Sequence, residues 1–92
     1  MIVGVITKQP AEVRRCTLDF AAALGTALLT GVTAVPSDPA LSITTAFEGP
    51  LVTFLIAGGI TGGEYVVTTS ATLDDGQQLE VEVIVAVDEI SL

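Results

Sequence analysis

A loop that cradles phosphate is the first chemistry to consider, because four glycines fall within six positions of the segment LIAGGITGGEYVVT. Such a loop requires the spacing G-x-x-x-x-G-K-[ST], with a lysine that reaches the phosphates and a helix that begins behind it. Here Gly63 is followed by Glu64, whose carboxylate repels phosphate, and the next residues alternate as in a strand. We therefore predict a structural corner between two strands. Its glycines are Gly58, Gly59, Gly62 and Gly63.

The acidic and nucleophilic residues are the other candidates for chemistry. Asp74, Asp75, Glu80 and Glu82 lack the spacing of a calcium loop. Paired carboxylates can hydrolyse glycosides, but a chain with no Trp and one Tyr offers a sugar no aromatic platform. The chain has no His, and Cys16 is its only Cys, which excludes Ser–His–Asp and Cys–His nucleophiles and most zinc sites. We predict no enzymatic activity, no metal, no cofactor and no small-molecule substrate.

Length and charge limit the remaining classes of protein. Ninety-two residues are enough for one domain, so we expect a single unit over residues 1–92. The net charge is −8, and residues 47–92 carry eight acidic side chains and no basic one, whereas residues 1–46 are balanced. Nucleic acid is therefore not expected as a partner, since its phosphates require Lys and Arg. A neutral half joined to an acidic half suits head-to-tail packing of subunits.

The segment RRCTLDFAAALGTALLTGVTAV imitates a twin-arginine export signal. Asp19 interrupts its apolar run, Thr and Gly break it repeatedly, and a strand-like stretch precedes it. The run is also too polar and too short for a transmembrane helix, which needs about 20 apolar residues. We therefore expect neither export by this signal nor a membrane partner.

The pattern of short apolar runs predicts an all-β fold. Runs at residues 2–7, 13–20, 26–35, 40–47, 51–57, 64–72 and 79–87 read as about seven strands, with one helical turn in FAAALG. Turn residues separate the runs, including PSDP and the hairpin signal Asp75-Gly76. Short strands at this spacing predict an antiparallel β-sandwich.

The position of Tyr65 indicates which kind of sandwich. In immunoglobulin-like domains, a Tyr near the start of strand F folds back, and its hydroxyl bonds to upstream backbone at the corner between strands E and F. Tyr65 follows the glycine corner and begins an alternating strand, which fits that position. The alternative is an ordinary half-buried Tyr.

Some strands carry apolar residues on both faces, although a two-layer sandwich of this size has one interior. We therefore expect a partner to cover part of this apolar surface. Two adjacent arginines, the only basic cluster, are expected to contact an acidic neighbour such as the C-terminal half of another subunit. The candidate interface residues are Arg14, Arg15, Val52, Phe54, Ile56, Ile84 and Ala86.

Two groups of short motifs occur in the order seen in a known family. The N-terminal group is Lys8-Gln9-Pro10, Leu18-Asp19-Phe20 and Leu24-Gly25, and the C-terminal group is FLIAGGITGGEYVVTTSATLDDGQQLEVEVIVAV at residues 54–87. In this order they resemble the fibre–tail adaptor or neck-region proteins, small virion proteins of tailed bacteriophages. Three positions depart from the family pattern: Phe20 and Phe54 stand where members tend to have Trp, and Gln77 where they have Arg.

The resemblance implies a non-enzymatic virion structural protein with an immunoglobulin-like sandwich. It also implies a symmetric homo-oligomer that connects tail, fibre or head–tail components, made in the cytoplasm of the bacterial host and located in the virion. Other virion proteins are the implied partners. An adhesin-type immunoglobulin-like binding module and a capsid decoration protein are the alternative functions.

Overall fold

The computed structural model describes residues 2–89, which form seven strands and one short helix. The strands are β1 Ile2–Lys8, β2 Arg14–Asp19, β3 Leu29–Pro36, β4 Leu41–Glu48, β5 Leu51–Gly58, β6 Glu64–Leu73 and β7 Gln78–Val87, and the helix is α1 Ala21–Leu24. Within these residues, no helix has the length and apolar character needed to cross a membrane.

Two sheets pack face to face. Sheet A has the strand order β1-β7-β6-β3, and sheet B has the order β2-β5-β4. The predicted two-sheet sandwich is confirmed. All pairs are antiparallel except β1 and β7, which run parallel. β1 is therefore an edge strand of sheet A, added parallel to β7. The alternation of residues within each strand does not predict this pairing.

The core lies between the two sheets, and alternating residues of β6 and β7 form most of its sheet A side. Tyr65, Val67, Thr69, Ala71 and Leu73 of β6 face inward, opposite the inward residues of the neighbouring strand, Val81, Val83, Val85 and Val87. Period-2 alternation places such residues on one side of a strand. The inner face of β5 completes the core from sheet B.

Val52, Phe54 and Ile56, which were predicted as candidate interface residues, face the core instead. Their side chains are 0%, 2% and 2% exposed and belong to the core cluster. The outer face of β5 carries Leu51 and Leu55 instead, which are 43% and 39% exposed. Both faces of this strand are apolar, so alternation alone could not show which face packs against sheet A. The larger Phe and Ile side chains lie inside, where they bury more surface.

Thr69 is the polar exception on the inner face of β6, and it motivates a prediction. It is 1% exposed, and its hydroxyl oxygen has no hydrogen-bond partner among residues 2–89. A buried hydroxyl without a partner costs stability, and valine has nearly the same shape without the hydroxyl. We expect Thr69→Val to raise the free energy of unfolding by about 1 kcal/mol in urea denaturation.

Thr33→Val, at an exposed position of β3, is the matched control and should change stability by no more than about 0.5 kcal/mol. A lower stability for Thr69→Val would show that the hydroxyl has a partner in solution.

Candidate interaction surfaces

The corner between β5 and β6 is built around Tyr65. The Tyr65 side chain is buried, and its hydroxyl oxygen accepts a hydrogen bond of 3.0 Å from the backbone N–H of Ile60. A Cβ atom at Gly63 would lie 2.9 Å from both the Tyr65 ring and its hydroxyl. The ring therefore lies directly on the backbone of Gly63, and the hydroxyl holds the backbone five residues upstream. This geometry matches the tyrosine corner of immunoglobulin-like domains.

The other corner glycines have backbone conformations that suit glycine. Gly58, Gly59 and Gly62 have φ values of +78°, +93° and +85°. Side chains are disfavoured at these angles because Cβ collides with the backbone. The backbone conformation of the corner therefore requires glycine at these three positions.

Backbone bonds of the corner leave no phosphate cradle. The N–H groups of Gly59, Gly62 and Gly63 donate to the carbonyl oxygens of Ala40, Val87 and Ile60 at 2.9, 2.8 and 2.8 Å. A phosphate loop needs such N–H groups free to point at the ligand. These bonds instead tie the corner to the end of β7 and to the turn before β4.

Removal of the Tyr65 hydroxyl tests the corner. We expect Tyr65→Phe to lower the free energy of unfolding by about 1–2 kcal/mol, because the Ile60 N–H loses its partner while the ring keeps its packing. Chemical denaturation followed by circular dichroism measures the change. Thr61→Val, an exposed polar residue of the same corner, is the control and should have little effect. An unchanged denaturation midpoint for Tyr65→Phe would contradict a role for this hydrogen bond.

Lys8, part of the Lys8-Gln9-Pro10 motif, also supports the corner, a role that the motif itself did not predict. Its side chain is fully buried, and its ammonium group donates to the carbonyl oxygens of Gly58 and Gln9, both at 2.6 Å, and of Pro10 at 3.3 Å. Burial lowers the pKa of Lys8, an effect that the nearby Glu12 carboxylate opposes. Lys8 lies at the end of β1, on the same side of the strand as the partly buried Ile6. This alternation was the feature of the sequence that could have predicted the burial of Lys8.

The hairpin between β6 and β7 is closed by its own side chains. Asp75 accepts hydrogen bonds from the backbone N–H of Gln77 at 3.0 Å and from its side-chain amide at 2.6 Å. Gly76 has a φ of +88°, the kind of conformation for which the Asp-Gly signal selects. Gln77 stands where the resemblance led us to expect Arg, and its amide is engaged within the turn.

The two adjacent arginines do not form one basic patch. Successive residues of a strand point to opposite sides, so Arg14 and Arg15 diverge. Arg14 lies 3.8 Å from the Glu12 carboxylate, near the end of the strand. Lys8 is buried, which leaves Arg15 as the basic side chain on the outer surface of sheet B.

Arg15 belongs to a surface that is partly apolar. Arg15 pairs with Leu55 across β2 and β5, Thr17 pairs with Thr53, and Leu51 lies further along the same face. We call these five residues the Arg15 face. Asp19 and Glu48 flank Leu51 on the same outer face, so the positive charge is confined to the end of the face at Arg15 and Leu55. An exposed leucine beside a guanidinium group is typical of residues that bind an acidic, partly apolar partner.

The outer surface of sheet A contains the other predicted interface residues. Ile84 and Ala86 are half-buried on this surface. Val5 and Val66 flank Ile84 on the two neighbouring strands, and Glu64 lies beside Ala86. We call these five residues the Ile84 face. It is apolar at its centre, where Val5 is 66% exposed, and acidic at Glu64.

A groove of about 380 Å³ opens where β2 and α1 meet the starts of β1 and β7. Its lining is mainly apolar and includes Leu18, Phe20 and Val81, with Asp19 and Glu80 as the charged residues. None of the described lining residues has a thiol, amine or hydroxyl that could act as a nucleophile. Among residues 2–89, no group of three or more potential metal ligands comes together.

Comparisons with known proteins agree with this architecture. A family model described as "Podophage GP4 fiber-tail adaptor protein gp77" matches residues 8–86. Among solved structures, the solution structure of the PKD domain from the KIAA 1837 protein is similar, with a TM-score of 0.52 and 16% sequence identity. That similarity covers 100% of this chain and 87% of the PKD chain, and it shows an all-β, immunoglobulin-like fold. No curated protein matches the sequence.

Proposed function

The chain belongs to the podophage GP4 fibre–tail adaptor family, and we propose that this phage tail structural protein joins fibre and tail components as a symmetric oligomer. The resemblance carried by the turn and strand motifs is confirmed, since the family match covers the first group of motifs and all but the last residue of the second. The family is one of structural adaptors, and the proposed role includes no catalytic step.

Two exposed surfaces on opposite sides of the sandwich carry the proposal. An adaptor has to contact at least two neighbours at once, which requires separate surfaces on a rigid body. The Arg15 face lies on the outside of sheet B and the Ile84 face on the outside of sheet A, with the shared core between them. Arg15 favours an acidic contact at its end of the Arg15 face, while Asp19 and Glu48 lie beside Leu51 at the other end. Glu64 of the Ile84 face favours a basic contact.

The proposed role is accompanied by a location, a set of partners and a single-domain organisation. We place it in the virion, bound to other virion proteins, after synthesis in the host cytoplasm. We treat residues 1–92 as one domain, because a single cluster of buried residues includes members from both sheets. The Arg15 face is the surface proposed to bind an acidic neighbour, which is either another virion protein or the acidic half of another copy.

Deletion of the gene from the phage tests the proposal. Wild-type particles should contain the protein by mass spectrometry, and particles made without it should lack attached fibres in electron micrographs. Complementation with Arg15→Glu should restore fibres poorly, whereas the matched control Thr17→Ser on the same face should restore them fully. Normal fibres on particles that lack the protein would overturn the proposal. Location of the protein on the head surface, shown by antibody labelling in electron micrographs, would instead favour a capsid decoration protein.

A further inference from the structure

We propose that β4 is a self-pairing edge, at which two copies of this chain join their B sheets into one continuous sheet about a two-fold axis at Thr44. The inference rests on the proposed oligomeric function and names the contact that would build the oligomer. A strand at the edge of a sheet presents unpaired backbone groups and can template pairing with another chain, unless side chains or irregularities block it.

Three of the four sheet edges carry features that hinder pairing. In sheet A, β1 has a register irregularity between Ile2 and Gly4, and β3 has one between Leu29 and Gly31. The β3 edge also ends in a proline, Pro36, which has no N–H to donate. In sheet B, the edge strand β2 carries three charged side chains among its six residues. Bulges, prolines and charges are the devices that natural edge strands use against association.

The fourth edge, β4, has none of these features over most of its length. Its eight residues, LSITTAFE, pair with β5 without a register shift, and the first seven are uncharged and free of proline and glycine. Ile43, Thr44 and Thr45 are β-branched, which favours an extended strand. β4 is therefore a regular, uncharged edge.

β3 of sheet A lies close to β4, but the two strands belong to different sheets and do not pair, so the outer backbone groups of β4 are not used in a ladder. The Gly59 N–H donates to the Ala40 carbonyl, opposite it in register, and ladder bonds then alternate along an antiparallel pair. This alternation directs the N–H and C=O groups of Ile43, Thr45 and Phe47 away from β5. Among the described residues, no backbone hydrogen bond outside the β4–β5 ladder involves these groups.

Pairing of β4 with itself gives a compatible register. In an antiparallel pair centred on Thr44, Ile43 lies opposite Thr45 and Leu41 lies opposite Phe47 of the second copy. Residues directly opposite each other share a face, so the inner and outer sides of both copies remain continuous. The outward-directed groups of Ile43 and Thr45 then form hydrogen-bonded pairs, as an antiparallel ladder requires.

The charge and the exposure of β4 residues also favour a second copy of this chain as the partner. Glu48 is the charged residue of β4, and the register places it opposite Ala40 rather than opposite a second carboxylate. Like charges that face each other across strands are destabilising, so this offset removes one obstacle to pairing between two acidic copies. Phe47 is 41% exposed at the free edge, and Leu41 of the second copy would cover it.

Cysteine cross-linking tests the register. We expect Thr44→Cys to form a disulfide-linked dimer under mild oxidation, because the two-fold axis brings the same residue of both copies within disulfide reach. Ser42→Cys and Ala46→Cys should each remain uncross-linked alone but form a mixed dimer when combined. The controls are the wild-type chain, whose Cys16 is half-buried, and Thr17→Cys on the exposed outer face of β2. Cross-linking at Thr44 that is no more efficient than at Thr17 would overturn the inference.

A proline substitution provides an independent test without cross-linking. Thr45→Pro removes an N–H that points away from β5, so the β4–β5 ladder stays intact while the edge is blocked. Sedimentation equilibrium should show a wild-type dimer and, for Thr45→Pro, a dissociation constant raised about tenfold or more, with an unchanged circular dichroism spectrum. A wild-type chain that stays monomeric would also overturn the inference, while particles that lose fibres on gene deletion would still support the adaptor function.

Discussion

Replacement of Phe54 with alanine is expected to lower the free energy of unfolding by about 3–5 kcal/mol, the largest single effect that we predict. Phe54 is 2% exposed in the centre of β5, and alanine would leave a cavity that the surrounding core could fill only in part. Chemical denaturation monitored by circular dichroism gives the change in stability.

Leu55 is the matched control, since it is the next residue of the same strand and lies on the outer face. Leu55→Ala should cost about 1 kcal/mol or less, because the side chain is 39% exposed and leaves no enclosed cavity. Measurements over a range of protein concentrations would separate folding from association. A larger cost for Leu55→Ala than for Phe54→Ala would mean that the two faces of β5 are reversed.

Replacement of Gly59 with alanine is expected to cost about 3 kcal/mol. Its φ of +93° is unfavourable for a residue with a side chain, which accounts for about 1–2 kcal/mol. A Cβ atom would also lie 2.6 Å from a methyl group of Val87 and 3.4 Å from the Tyr65 ring. Relief of that contact displaces core side chains, which adds about 1–3 kcal/mol.

Substitution of Gly62 separates the backbone cost from the packing cost. Its φ of +85° is similar, but a Cβ atom there would meet no atom of the described part of the chain within 4 Å. Gly62→Ala should therefore show the backbone cost alone, about 1–2 kcal/mol in the same denaturation measurement. Equal losses for Gly59→Ala and Gly62→Ala would show that the corner relaxes around the added methyl group and that the packing against Val87 has little weight.

The sequence predicted the succession of strands and the corner well because both depend on neighbouring residues. Alternation within nine or ten residues identifies a strand, and Gly-Gly, Pro and Asp-Gly mark the turns between strands. The tyrosine corner was also accessible, since Tyr65 and the backbone that it holds are only five residues apart. The divergence of Arg14 and Arg15 could have been predicted from the same alternation.

The features that the sequence did not reveal depend on distant parts of the chain. Lys8 has two local carbonyl partners, but its buried ammonium group also requires the Gly58 carbonyl, which lies 50 residues away in the sequence. The parallel pairing of β1 with β7 likewise joins the two ends of the domain.

By itself, the amino-acid sequence determined that this chain forms a β-sandwich of short strands, turns a glycine corner at Tyr65, and resembles phage adaptor proteins. Local periodicity and turn chemistry are sufficient for those conclusions. Only the tertiary structure decided which face of β5 is buried, because both faces are apolar and burial is set by the opposing sheet. It likewise decided that β4 lies at an open edge, since the position of a strand in a sheet depends on pairing with distant residues.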